Sequence, residues 1–581
     1  MTISAPIPDR TERRNRNLRF LFLSCLVFCA VFAGMVAGAL LVIHLDPRNV
    51  HPPETEQLAR LKDQVVKNPD NTQLKDLFNS LDQSNRSYLL ARDRRVTSGG
   101  FFLAGGLVGL VVFALLYNRM DPRRLVMKRP GDEARSDSWF TLRRRNVVAV
   151  AIGAVVILIA FIVTAGFPRL NLPESKSPLY HETWPGFRGP DGLGVAPPGD
   201  WATSWDLANG TNILWETEVP LAGKSSPVVW GDRLFLTGAT ASLQQLFCFD
   251  RSSGKLLWRT SISSPESRAW ARAGEYEQVN FIEDTGSAAP SPATDGKLVF
   301  VVFYTNDVAA VDFSGKVKWV KNFGKPESSY GLASSPLVHQ DTLVYQCDQG
   351  IPDEALSAIY GLDKDSGNVI WRKERPVGSS WGSPILARQA PAGVQIITTA
   401  SPWVIAYDPE FGDELWRANV LPNAEVGSSP AYADGIAYVT DDEAQLSAIR
   451  TDGRGDVTDT HVLWHSDEGR PDASSPVCDG KFLIQADSVG TVTCFDAGMG
   501  KLLWKHDFKT GFWSSPIISG NLVFVVDRKG DCFILDLGDA YKEIGTGRLD
   551  EPTDATPAFA DSVIYVRTQK HLVAIAKGRQ K

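Results

Sequence analysis

Histidine, methionine and cysteine are scarce in this chain, at 8, 5 and 7 among 581 residues, and the scarcity excludes several chemistries. No Cys-x-x-Cys-His occurs, so covalent haem is not indicated. Cys25 and Cys29 sit in an apolar run. Cys248, Cys347, Cys478, Cys494 and Cys532 are scattered and odd in number, which forbids complete pairing. Several lie in strand-like apolar patterns, where a thiol acts as a small hydrophobe. The one close histidine pair, His461 and His465, is four residues apart on a strand, too far to share one ion comfortably. No metal site is therefore expected. Without a Gly-x-Ser-x-Gly elbow, no catalytic residue is assigned. The net charge of −7 and the lack of a basic face interleaved with aromatics argue against nucleic acid.

Charge is missing from three stretches, 20–43, 99–117 and 146–167, each long enough for a membrane span. The first is too long for a cleaved signal and lacks a clear cleavage site. Arg10, Arg13, Arg14, Arg16 and Arg19 precede it, and the loop 118–145 is dense in Lys and Arg. The positive-inside rule puts residues 1–19 and 118–145 in the cytoplasm. Three transmembrane helices then anchor the chain in a bacterial inner membrane, with everything after residue 167 in the periplasm. Segment 44–98 faces the same side. Leu58, Leu61 and Val65, then Leu74, Leu77, Phe78 and Leu81 after Asn68-Pro-Asp-Asn71, make it a helical hairpin. Its stripe either packs on itself or docks a partner. Residues 168–211 are a linker and lead-in.

From residue 212 onward the chain repeats. A Ser-Pro or Thr-Pro pair opens an apolar strand eight times, at Ser226, Ser291, Ser335, Ser383, Ser429, Ser475, Ser515 and Thr556. The period of ~40–65 residues is that of four-stranded propeller blades. Ser401-Pro402 is off the period. Proline suits the start of an innermost strand, where its missing N–H costs little. An interleaved pattern of Asp, three residues, Gly, three residues, Trp ends in Trp258, Trp371, Trp416 and Trp504. Trp319 follows a turn one residue shorter, Trp464 follows an insertion, and Ile544 stands in the seventh unit. Asp bonds turn N–H groups, Gly supplies positive φ, and Trp wedges between sheets. The strand carrying Trp215 lacks a unit of its own and the last strand lacks a Trp. Joining them closes an eight-bladed β-propeller over 212–581, an all-β fold preceded by an α-helical membrane region.

The small–x–Asp–x–x–Ser/Thr–Gly–x–x–x–Trp pattern resembles the tryptophan-docking repeat of quinoprotein propellers. Trp184-Pro-Gly-Phe-Arg-Gly-Pro-Asp-Gly-Leu-Gly194 is similar to the lead-in of membrane-attached members of the PQQ-like repeat family. The repeat also resembles that of the propeller lipoproteins of the outer-membrane β-barrel assembly machinery, though not their anchor. The quinoprotein resemblance implies pyrroloquinoline quinone over the axis, Ca²⁺ held by carboxylate and amide oxygens, an Asp base and, in many members, a disulfide between adjacent cysteines. That adjacent pair is missing here, and the blades lack long insertions that build a cofactor chamber. The expected function is a non-catalytic protein-binding scaffold of the cell envelope, with no cofactor. A PQQ/Ca-dependent dehydrogenase and a glycan- or small-ligand-binding propeller are the alternatives.

Two sets of residues are candidates for binding. Ser267-Arg-Ala-Trp-Ala-Arg-Ala-Gly-Glu-Tyr-Glu277 is the longest departure from the repeat. In a surface loop, Arg268, Trp270, Arg272 and Tyr276 either anchor an envelope partner or fold over the disc. Asp348, Asp441, Asp487 and Asp527 recur after the second strand of their blades. They are turn caps, or they face the channel mouth and hold a cation or polar ligand. Trp381 and Trp513, just before Ser-Pro strands, line the blade tops.

Overall fold

The computed structural model describes residues 182–580, apart from 241, 274–284, 329, 389–392 and 423–424, together with Cys25 and Cys29. The three apolar runs (Cys25 and Cys29 excepted), the hairpin 44–98 and the basic loop 118–145 lie outside the described residues. Among the described residues, no helix is long and apolar enough to cross a membrane.

Eight four-stranded antiparallel blades follow one another along the chain, and lead-in strands join blades 7 and 8 into one ten-stranded sheet. Blade 1 runs through Val228–Trp230, Arg233–Ala239, Gln244–Asp250 and Leu256–Ser261. Blades 2 to 7 repeat that order, each opening just after its Ser-Pro pair. Blade 8 takes three strands from the C-terminus and its outermost strand, Thr211–Glu218, from the start of the disc. There Ala574 lies opposite Trp215 and Leu572 opposite Thr217, which closes the ring. Closure removes the two edges an open array would leave unpaired.

The hydroxyls of the eight Ser/Thr-Pro pairs form a second, unforeseen closure. The backbone N–H of Ser226 donates to Ser291 Oγ at 2.8 Å, that of Ser291 to Ser335 Oγ at 3.0 Å, and that of Ser335 to Ser383 Oγ at 2.9 Å. The chain of bonds passes through Ser429, Ser475, Ser515 and Thr556. It ends where it began, with the Thr556 N–H on Ser226 Oγ at 3.0 Å. Innermost strands of neighbouring blades are too far apart for a backbone ladder, so a side-chain oxygen bridges each gap. The repeat therefore needs a short β-hydroxyl residue at this position in every blade.

Tryptophans seal the outer seams. Most sit on the Asp/Gly turn of the following blade, and in five of them the indole N–H donates to a carbonyl there. Trp215 bonds Arg251 O, Trp258 bonds Phe313 O, Trp319 bonds Lys364 O and Trp464 bonds Ala497 O, at 2.9–3.1 Å. Trp504 reaches Gly538 O at 2.9 Å. The turn glycine is required: a Cβ on Gly254 or Gly367, both at positive φ, would fall 2.5–2.6 Å from the docked ring. Trp371 lies under Gly412 in the same way. Trp416 has no such turn ahead of it, because blade 5 replaces it with an insertion. Its indole bonds Gln395 Oε1 instead, and the Gln395 amide bonds Thr451 O.

Ile544 is not the residue in the tryptophan register. Gly545 is, paired with Ile534 as Trp504 is with Cys494, while Ile544 faces outward. The lead-in covers the gap: Trp205–Asp206 adds in parallel to Glu543–Arg548, and Trp205, 3% exposed, lies on Gly547. The five propeller cysteines are free and buried. Ser401-Pro402 is the cis turn between the second and third strands of blade 4.

Candidate functional site

Strand direction separates the two faces of the disc. Innermost strands start at the Ser-Pro face, here the upper face, so it also carries the loops between second and third strands and the segments joining blades. The Asp/Gly turns lie on the lower face.

The lead-in closes the channel from below. Thr183–Trp184 pairs with Val229 and Trp230 of blade 1, the Thr294 N–H of blade 2 bonds Pro185 O, and Val195–Ala196 runs parallel to Ile518 and Ser519 of blade 7. Arg388 of blade 4 grips Asp191 at 2.8 Å. Left-handed backbone at Arg188, Gly189, Asp191, Gly192 and Gly194 makes the tight coil possible. At its tip Arg188 is fully buried and bonds the carbonyls of Pro430, at 3.0 Å, and Pro476, just below the hydroxyl ring. Burial lowers its pKa to about 9.

On the upper face, Asp441, Asp487 and Asp527 share a repeat position and Asp348 lies one residue beyond it, and the four have three different fates. Asp348 is fully buried in a two-pronged ion pair with Arg375, at 2.7 and 3.0 Å, and accepts from Ser380 and Gln346. Burial pulls the Arg375 pKa down, but Asp348 and Tyr407 outweigh it and the net direction is up. Asp441, 0% exposed, accepts from the Gly427 N–H at 3.3 Å. Burial, helped by Asp442, raises its pKa to about 9, so it is protonated at neutral pH. Asp487 and Asp527 cap their own turns, accepting from Gly490 and Thr491 and from Lys529 and Asp531 at 2.7–2.9 Å. Burial raises the Asp527 pKa.

The stretch read as a surface loop begins as a helix, Pro265–Arg272. Ser264 caps it by accepting from the Ser267 N–H at 3.0 Å, with Pro265 in the first turn, a favourable pairing of signals. Arg268 is exposed and turned back on Ser263 O at 2.8 Å, Trp270 is half-buried and Arg272 is exposed. Tyr276 lies outside the described residues. The helix belongs to the upper face, as the aspartates do, but no described contact brings the two sets together.

Two aromatic posts on this face are held by residues that sequence reasoning missed. Trp513 carries Arg528 over its ring at 3.6 Å and Lys224 at 4.6 Å, and Asp554 ties both cations at 3.6 and 2.7 Å. Trp381 packs edge-on against Tyr330 and donates to Gly331 O at 2.9 Å. The position of each Trp, two residues before its ring hydroxyl, marks the posts but not the residues that hold them.

The family model described as "Outer membrane protein assembly factor BamB" matches residues 200–353, 355–456 and 455–580. The chain belongs to this family. Among its curated relatives, the BamB of Bordetella pertussis is 22% identical over 57% of this chain and 78% of its own length. That of Burkholderia pseudomallei is 24% identical over 61% of this chain and 85% of its own length. A "1-butanol dehydrogenase (quinone)" of Thauera butanivorans is 28% identical over 23% of this chain and 20% of its own length. Among solved structures, the quinohemoprotein alcohol dehydrogenase of Comamonas testosteroni shares the fold. It has a TM-score of 0.51 at 11% identity, covering 70% of this chain and 82% of that one.

The relatives include outer membrane protein assembly factors and a quinone-dependent dehydrogenase, so the donor set decides what this disc can hold. Ca²⁺ with pyrroloquinoline quinone needs carboxylate and amide oxygens converging on one point. Here Asp348 is spent on Arg375, and Asp487 and Asp527 on their turns. Among the described residues no three His, Cys, Asp or Glu side chains gather to hold a metal. These residues do not fit that group.

Proposed function

We propose that this protein is a non-catalytic protein-binding scaffold of the bacterial envelope. Its N-terminal spans would anchor it in the inner membrane and the disc would stand in the periplasm. The observation that carries the reading is the local use of three of the four recurring upper-face aspartates, consumed by an ion pair or by their own turns. The same face offers rigid aromatic and cationic posts of the kind that anchor protein partners. By its family, the partner class is the machinery that assembles outer-membrane proteins.

The test is photo-crosslinking in envelopes of the native host, with the crosslinking residue at position 270 or 381 of the full chain. Adducts with outer-membrane assembly components support the reading. Absence of protein adducts from both positions overturns it.

A further inference from the structure

Blades 4 and 6 break the repeat in the same way on the lower face. In blades 1 and 3 the turn before the outermost strand carries Ser253 and Ser366, whose hydroxyls donate to Asp250 and Asp363 at 2.7 and 2.6 Å. Blades 4 and 6 put Phe411 and Met499 at that position. The turns stay intact without a hydroxyl, because Asp408 and Asp496 still accept the backbone N–H of Phe411 and Met499 at 3.0 and 2.8 Å. Neither side chain supports the fold, and both project into water, 60% and 68% exposed.

Blade 5, between them, replaces its turn with the insertion holding Gly455–Asp456 and Thr458–His461, beside the exposed Leu463. This sector of the rim is acidic. Lys373, Arg417 and Arg450 are each tied to a carboxylate, Asp413, Glu414 and Asp452. Glu410, Asp456 and Asp459 are exposed and in excess over the exposed Arg454 and Lys501, of which Lys501 lies two residues past Met499. An apolar surface with surplus negative charge repels an anionic bilayer and a second copy of itself. It attracts a cation carried on an apolar body.

We propose that the lower rim across blades 4 to 6 docks a basic amphipathic segment of a protein partner. Apolar side chains of that segment meet Phe411 and Met499, and its Lys or Arg residues meet Glu410, Asp456 and Asp459. The inference rests on the scaffold reading and adds a second surface, on the face opposite the aromatic posts.

The experiment places a photo-crosslinking residue at 411 or 499 of the full chain in its own membranes and sequences the crosslinked peptides. The expected result is one protein captured from both positions, through a peptide of net positive charge with apolar residues. Yield should fall at least about tenfold in Glu410→Lys/Asp459→Lys. Adducts with lipid, with a second copy of the chain or with a peptide lacking positive charge overturn the proposal. So do a yield indifferent to charge reversal and an absence of adducts. Phe411→Ser and Met499→Ser restore the repeat's own residue and should leave Tm unchanged; a loss of several degrees assigns these side chains to the fold and refutes docking. Crosslinking at position 270 or 381 reports the scaffold reading separately, so the failure of one is distinguishable from the failure of the other.

Discussion

Ser335→Ala tests the hydroxyl ring. Ser335 Oγ accepts the Ser291 N–H at 3.0 Å, and Ser291 is 2% exposed. Removing the oxygen strands a buried backbone donor, which costs about 1–3 kcal/mol. The N–H of residue 335 keeps its own bond to Ser383, so only one bond of the ring is lost. With ~2.1 cal/mol/K of unfolding entropy per residue over the disc, each kcal/mol moves Tm by ~1.3 °C, for a fall of ~1–4 °C. Scanning calorimetry of the full chain in detergent reads the fall. Amide exchange should place the faster opening at Ser291. Ser335→Thr is the control, because Thr556 already fills this position in blade 8. A Ser335→Ala protein as stable as Ser335→Thr, with the Ser291 amide still protected, would refute the bridging role of the hydroxyls.

Arg375→Met should be strongly destabilising, by ~3–5 kcal/mol, because Asp348 is left charged and buried. Calorimetry of Arg375→Met against Asp348→Asn/Arg375→Met measures the uncompensated charge, and the double variant should recover part of the loss. Gly547→Ala should cost ~1–3 kcal/mol by forcing Trp205 off its seat, read as a gain in Trp205 fluorescence exposure. Asp441 binds its proton more tightly folded, with a pKa of about 9, than unfolded near 3.8. It therefore costs stability increasingly as pH rises from 4 toward 9. Asp441→Asn, a mimic of the protonated form, should raise Tm at pH 8 and lose that advantage near pH 4; a gap independent of pH contradicts the assignment.

The architecture was legible because each blade repeats its chemistry. Eight Ser/Thr-Pro pairs, the Asp–Gly–Trp spacing and the orphan Trp215 strand are local signals, and the closure they imply is present in the pairing of Ala574 with Trp215. The seventh blade misled because a one-residue shift in the turn moves Gly545, not Ile544, into the tryptophan register, and a residue 340 positions away in sequence fills the space. The helix at Pro265–Arg272 was hidden by the composition of its neighbours, although Ser264-Pro265 signals a helix start. The fates of the aspartates were not legible at all. Asp348 lies one register position beyond that of Asp487, yet only the three-dimensional placement of Arg375 beside it makes it an ion pair rather than a turn cap.

Equilibrium titration of the purified full chain with pyrroloquinoline quinone and Ca²⁺, followed by quinone absorbance and by alcohol-dependent dye reduction, bears most directly on the scaffold assignment. With the axis plugged at Arg188 and the carboxylates already spent, the account predicts neither saturable quinone binding nor turnover. One quinone bound per chain with Ca²⁺-dependent dye reduction would contradict it.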